Sequence, residues 1–201
     1  MIATTPEEIK NLRKAAKILA GVLNDLSAMV KHGVSTAELD LAAGHAISAR
    51  GATSAFLGYK PDGASYPYPA VLCTAINYEV VHGIPNEKEK ILNQGDIVSI
   101  DLSLNHKGLI TDSAVTVPVG AIDDESKKLL KITKVALEAG IKAARPGNFT
   151  GDIGEAISDV VEASGFSLAD DLAGHGVGFA LHEEPFVPNV GRAGEGDKRR
   201  E

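Results

Sequence analysis

Asp96-Ile97-Val98-Ser99-Ile100-Asp101-Leu102-Ser103-Leu104 alternates without a break. Val98, Ile100, Leu102 and Leu104 fall on one side of an extended chain, and Ile97, Ser99, Asp101 and Ser103 on the other, which is the two-residue period of a half-buried strand. Asn105 to Gly108 reads as the turn, and Leu109 to Val117 as the return strand, with Asp112 among apolar and β-branched neighbours. Such a hairpin presents two aspartates, eleven positions apart, from adjacent strands. A lone strand aspartate is most often a hydrogen-bond acceptor. Two of them inside an apolar alternation are costly unless their charge is compensated. Neither strand offers a cation apart from Lys107 in the turn, so a divalent metal is the reading that resolves the cost.

Upstream, Thr5-Pro6-Glu7-Glu8 combines a capping box with proline at the first helical position. Ile9, Leu12, Ala16, Leu19, Leu23, Leu26 and Val30 then recur every three or four residues, predicting an amphipathic helix to about Lys31. Ser35-Thr36-Ala37-Glu38 opens a second helix that stops at Gly51. Residues 51–69 have loop chemistry, and a short apolar strand follows from Ala70 to Ile76. Val81-His82-Gly83-Ile84-Pro85 puts a histidine at a strand end, where side chains face a cleft. His32, His45 and His106 have no partner at metal spacing and read as structural or solvated.

Downstream, two more helices are expected, over 124–144 and 150–164. They lead to Gly174-His175-Gly176-Val177-Gly178-Phe179-Ala180-Leu181-His182-Glu183-Glu184-Pro185, where two histidines stand among glycines and carboxylates. The order helix, helix, histidine-bearing strand thus occurs twice, a weak internal repeat that rests on element order alone. The first half adds the aspartate hairpin. The second reaches Val187-Pro188-Asn189 and a glycine-rich charged tail with no second hairpin expected. His175 offers a neutral nitrogen to complete a mixed oxygen and nitrogen ligand set with Asp101 and Asp112.

With 201 residues, 44% of them hydrophobic, the chain can form one domain with a sizeable core, or two small halves sharing one. A net charge of -7 argues against a protein that tracks nucleic-acid phosphates, and Lys198-Arg199-Arg200 reads as a solvated run. The single Cys73 cannot form an intrachain disulfide, no secretory leader is legible, and no apolar run approaches the roughly 20 residues that span a bilayer. A cytoplasmic protein without membrane contact is the expectation.

The segments Val81-His82-Gly83-Ile84-Pro85, Ile100-Asp101-Leu102-Ser103, Thr111-Asp112-Ser113 and Gly174-His175-Gly176-Val177-Gly178 with His182-Glu183-Glu184-Pro185 resemble, in order and spacing, the motifs of type I methionine aminopeptidases of the pita-bread fold. The resemblance covers the chain from the first helix to about Asn189. It implies an α+β pita-bread fold: an antiparallel sheet covered by two pairs of helices in pseudo-twofold halves, 1–120 and 121–201 of a single catalytic domain, with the last strands missing. It further implies Asp101, Asp112 and His175 as ligands of two divalent ions (cobalt, manganese, iron or zinc) and His82 and His182 as the catalytic and substrate histidines. The methionine side chain would sit among Phe56, Tyr59, Tyr68, Cys73 and Leu181, a looser alignment because Lys60 to Pro67 looks like an insertion. The family's two further glutamate ligands lie beyond Glu201, so an inactive fragment is one expectation.

What the resemblance implies is removal of N-terminal methionine from nascent proteins by metal-activated water, with N-terminal peptides, and the ribosome as a candidate, for partners. The complete protein would be a monomer. Two other readings remain at this point. One is a non-catalytic module of the same fold that holds N-terminal peptides without cleaving them, and the other is a structural role for the first helix as a dimer seam.

Overall fold

The first helix, α1 (Pro6–Met29), starts where the capping box places it: the Glu8 amide donates to the Thr5 hydroxyl at 3.2 Å, and the Thr5 amide donates to the Glu8 carboxylate at 3.0 Å. The same reciprocal pair, Ser35 with Glu38, opens α2 (Thr36–Ala49) at 3.1 and 2.7 Å. The computed structural model describes Ala3, residues 5–169 and residues 171–198. The chain divides into two compact units, one made of Met1–Asp123 with Val177–Leu181 and the other of Asp124–Gly176 with His182–Glu201.

In the first unit, β1 (Thr53–Ser54), β2 (Leu72–Ile76), β3 (Ile97–His106) and β4 (Leu109–Pro118) form one antiparallel sheet. β3 is its centre, with β4 along one edge and β1 and β2 sharing the other. Leu72, Val98, Ile100, Leu102 and Leu104 are all 0% exposed, packed with Ile18, Leu19, Val22, Leu23 and Leu26 of α1 and Leu39, Ala43 and Ile47 of α2. Each fully buried Leu, Ile or Val contributes roughly 1.5–3 kcal/mol, so this side of the sheet fixes the register: a slip by one residue would turn the whole row outward.

The expected turn of Asn105 to Gly108 is tighter in the structure. His106 already pairs with Leu109, leaving Lys107 and Gly108 as a two-residue turn with φ of 56° and 81°. Two left-handed residues in succession match the twist of the flanking strands, and the Asn105 side chain accepts from the Gly108 amide at 2.9 Å. Strand β2 starts two residues later than the sequence suggests, at Leu72. The buried carboxylate of Asp40 on α2 accepts from the Val71 and Leu72 amides at 2.7 and 3.1 Å and so fixes that start.

The second unit pairs α3 (Asp124–Ala143) with α4 (Thr150–Glu162) and a separate two-stranded sheet, β5 (Ala173–Gly176) and β6 (Glu183–Pro188). These two strands pair antiparallel: His175 lies opposite Phe186, and a register shift follows between His175 and Gly176. The charged tail is also held. Thr150 and Gly151, at the start of α4, donate to the carbonyls of Asp197 and Glu195, both at 2.9 Å, satisfying helix-end amides that have no partner within the helix. Lys198 lies over the Phe149 ring at 5.6 Å and is thus not merely solvated; Arg199 and Arg200 lie outside the described residues. Among the described residues, no helix is long and apolar enough to cross a membrane.

Candidate active site

Register decides where the aspartates go. Asp112 lies opposite Ser103, and Asp101 opposite Ala114, so the two carboxylates share the side of the sheet turned away from α1 and α2, one diagonal step apart. Their side chains hydrogen-bond each other, which requires a proton between them. Burial, then the Asp101 charge and then that hydrogen bond push the Asp112 carboxyl up to about 7, opposed by the Ser113 amide. Cys73 of β2 lies directly opposite Asp101, and the Ser103 hydroxyl between the aspartates donates to the Thr111 carbonyl at 3.1 Å.

Beside the carboxyl pair lies a small apolar cluster: Phe56, Cys73, Ile110 and Leu181 are buried, with Ala55, Tyr59, Tyr68 and Val177 packed against them. All five residues expected around a methionine side chain, Phe56, Tyr59, Tyr68, Cys73 and Leu181, are therefore together in one cluster of the first unit. The Phe56 and Tyr68 rings meet edge to face with centroids 6.0 Å apart. The Tyr68 hydroxyl lies 3.1 Å from the Leu72 carbonyl and 3.2 Å from that of Gly83, linking the cluster to the His82 loop, and burial above all raises its pKa. Burial likewise pushes the Cys73 thiol up to about 12, with the Tyr68 hydrogen bond opposing and the Asp101, Asp112 and Asp40 charges adding. At neutral pH this sulfur is a thiol, a soft wall and not a nucleophile.

His82 is exposed, in a left-handed conformation with φ of 57°. The next residue must be glycine: a Cβ at Gly83 would collide with the Thr74 carbonyl oxygen, and the Gly83 carbonyl accepts from the Thr74 amide at 3.0 Å. In the second unit, the His175 and His182 rings lie 4.4 Å apart, tilted by 58°. His175 Nδ1 is 2.9 Å from the Gly176 carbonyl, a contact that a proton on Nδ1 satisfies. Gly176 is also required, since a Cβ there would stand 2.6 Å from the Glu184 carbonyl oxygen, whereas a Cβ at Gly174 meets nothing closer than 3.5 Å.

The aspartates thus form one pair in the first unit and the histidines one pair in the second. Among the described residues, no group of three or more His, Cys, Asp or Glu side chains forms a metal-binding array. The donor chemistry nevertheless fits a divalent cation. Two carboxyls that must share a proton to coexist would instead both ionise around a positive charge, and an imidazole with its Nδ1 engaged by a carbonyl is set up to ligate through Nε2.

Sequence reasoning missed three contributors. Ile110 is two residues before Asp112 and so on the same face of β4, a signal legible in the alternation. Val177 lies between two glycines in the His175 segment and gives no periodic signal. Asp40 shares the inward stripe of α2 with Thr36, Leu39, Ala43 and Ile47, and burial is the main cause that raises its pKa. An acidic residue in that stripe was the available clue.

Comparison with known proteins gives the same picture over almost the full chain. The sequence profile of metallopeptidase family M24 matches residues 10–200. The methionine aminopeptidase of Aquifex aeolicus is 48% identical over 182 residues, which is 90% of this chain and 70% of that one. That of Clostridium perfringens is 43% identical over 198 residues, 98% of this chain and 76% of the relative. The crystal structure of the methionine aminopeptidase from Thermotoga maritima superposes with a TM-score of 0.92 at 36% identity, covering 100% of this chain and 78% of that one. Its fold is the pita-bread fold of these enzymes, and the chain belongs to metallopeptidase family M24.

Proposed function

We propose that the chain acts as a methionyl aminopeptidase, hydrolysing the first peptide bond of proteins that begin with methionine. Membership of a metallopeptidase family implies the use of divalent metal. One observation carries the substrate reading: the apolar, sulfur-lined cluster of Phe56, Tyr68, Cys73, Ile110 and Leu181 shares a sheet face with Asp101 and Asp112. An unbranched thioether side chain lying in that cluster leaves its own amino group and carbonyl beside the carboxylates.

In this reading Asp101, Asp112 and His175 hold two divalent ions from among cobalt, manganese, iron and zinc. Such ions, when bound, lower the pKa of water toward neutrality and polarise the scissile carbonyl. Asp112 must give up the proton it shares with Asp101 before it can ligate, and the raised pKa makes that step dependent on the pH around 7. His175 keeps its proton on Nδ1, facing Gly176, and offers Nε2. His82 and His182, both exposed, hydrogen-bond the peptide and support the developing oxyanion or the leaving amide. The apolar cluster excludes water from the first side chain. The partners that follow are N-terminal peptides of nascent proteins, met at the ribosome in the cytoplasm, with the enzyme as a monomer.

The test is release of free methionine from Met-Ala-Ser with added Mn²⁺ or Co²⁺. It is run on the 201-residue chain and on the same chain continued with the remaining C-terminal residues of the Aquifex aeolicus relative. We expect metal-dependent release by the continued chain, abolished by Asp112→Asn. A folded, metal-loaded continued chain that binds the peptide and leaves it intact makes the protein a peptide-binding module instead.

A further inference from the structure

Among the described residues, no hydrogen bond or ion pair holds the His82 ring, so its place is set by its backbone. That backbone is left-handed, at φ 57°, a conformation that a residue with a Cβ keeps only where its neighbours fix it. The fixed point is Gly83. Its carbonyl accepts from the Thr74 amide at the edge of β2, at 3.0 Å, and lies 3.2 Å from the Tyr68 hydroxyl. From Val80 to Ile84 no other backbone group is hydrogen-bonded among the described residues. The same hydroxyl lies 3.1 Å from the Leu72 carbonyl and hydrogen-bonds Cys73, while the Tyr68 ring packs on the apolar cluster. One proton between two carbonyls makes a three-centre bond that joins β2 to the loop. Leu72 is 0% exposed, so water is not at hand to replace the hydroxyl. The other ties come later in the loop. The Thr36 hydroxyl donates to the Pro85 carbonyl at 2.8 Å, and the Asn86 side chain to the Pro69 carbonyl at 2.9 Å.

We propose that Tyr68 is a positioning residue: its hydroxyl ties the Gly83 carbonyl to the edge of β2 and thereby aims the His82 imidazole. The proposal rests on the peptidase reading for what His82 does, though not for how His82 is held. Ring and hydroxyl then have separate tasks. The ring walls the cluster that takes the first side chain, and the hydroxyl at its far end sets the loop. Losing the hydroxyl alone should harm the chemical step and spare recognition of methionine, since a misplacement of about 1 Å can cost up to about 100-fold in rate.

The first measurement needs no activity: amide hydrogen exchange of the 201-residue chain carrying Tyr68→Phe, which keeps the ring. We expect exchange at Thr74 to be at least about tenfold faster than in the wild type, while Ala75, paired with Ser99 of β3, changes less than about twofold. Equal acceleration at both amides is general destabilisation and overturns the proposal, as does an unchanged Thr74 rate. The second measurement is Met-Ala-Ser hydrolysis by the continued chain. Tyr68→Phe should lower kcat about tenfold, with KM and the preference for methionine over alanine kept within about twofold. In the His82→Ala background the same change should alter kcat less than about twofold, because no imidazole remains to be aimed. An equal loss in both backgrounds, or a loss confined to KM, overturns the proposal. A continued chain that is inactive with Tyr68 in place counts against the peptidase reading, and the Thr74 rate then decides by itself whether the hydroxyl holds the loop. If Tyr68→Phe does not fold by circular dichroism, 4-fluorophenylalanine at position 68, close to tyrosine in size and unable to donate, takes its place with the same expected and overturning results.

Discussion

The two sides of β3 obey different rules. On one side Val98, Ile100, Leu102 and Leu104 are each 0% exposed, closed over by α1 and α2. On the other, Asp101 and Ser103 stand in the same strand, with Cys73 opposite Asp101 and Asp112 diagonal to it. The first side is a solution to the hydrophobic problem and tolerates any set of apolar residues of the right volume. The second makes no sense as a core: it places two carboxyls where they must share a proton, beside a thiol pushed up to about 12. One ten-residue strand therefore carries the stability on one side and the chemistry on the other, and the alternation of side chains lets each side be changed alone.

That separation can be broken most sharply at Asp112. In the continued chain, Asp112→Asn should lower Met-Ala-Ser turnover about 1000-fold or more, on the scale of losing a key electrostatic group. Metal-free stability should move the other way. The folded pKa lies above the unfolded value, so the carboxyl favours the folded state below the unfolded pKa and loses that advantage as the pH rises through about 7. The wild-type melting temperature should then drop between pH 5 and pH 8 more than that of Asp112→Asn. Parallel pH profiles would mean that the two carboxyls do not share a proton.

On the opposite side, Leu102→Ala should cost about 3 kcal/mol in denaturant unfolding by leaving a cavity under α1 and α2, with metal affinity per folded molecule unchanged. A matching loss of metal affinity would show that the two sides are coupled. Asp40→Ala should cost about 2 kcal/mol, since two amides at the start of β2 lose their acceptor, whereas Asp40→Asn keeps one and should cost less. Equal melting temperatures for the two variants would remove the account given for where β2 begins. The smallest effect is expected at Leu181, where Leu181→Ala should lower the preference for methionine over alanine as first residue about tenfold in kcat/KM, with metal titration unchanged. An unaltered preference would take the apolar cluster out of substrate recognition.

Much of this is legible in the sequence. Capping boxes at Thr5 and Ser35 set two helix starts to the residue because their chemistry is local: each needs only a side chain and an amide three positions away. The hairpin and its two aspartates follow from a period-two pattern. Nothing local predicts that the tail is held at Glu195 and Asp197, because its partners, the amides of Thr150 and Gly151, lie more than forty residues away along the chain.

Order and spacing along one chain are enough for the elements, the sides of the strands, the identity of the acid and imidazole groups, and the family resemblance. Which residues share a surface is a tertiary matter. Folding brings Val177 and Leu181 to Phe56, Cys73 and Ile110, and makes the Ile110 amide donate to the Gly178 carbonyl at 2.6 Å. It sets Cys73 across from Asp101. Such neighbourhoods join segments tens of residues apart, and which segments meet depends on the packing of the whole core, not on any local spacing of residues.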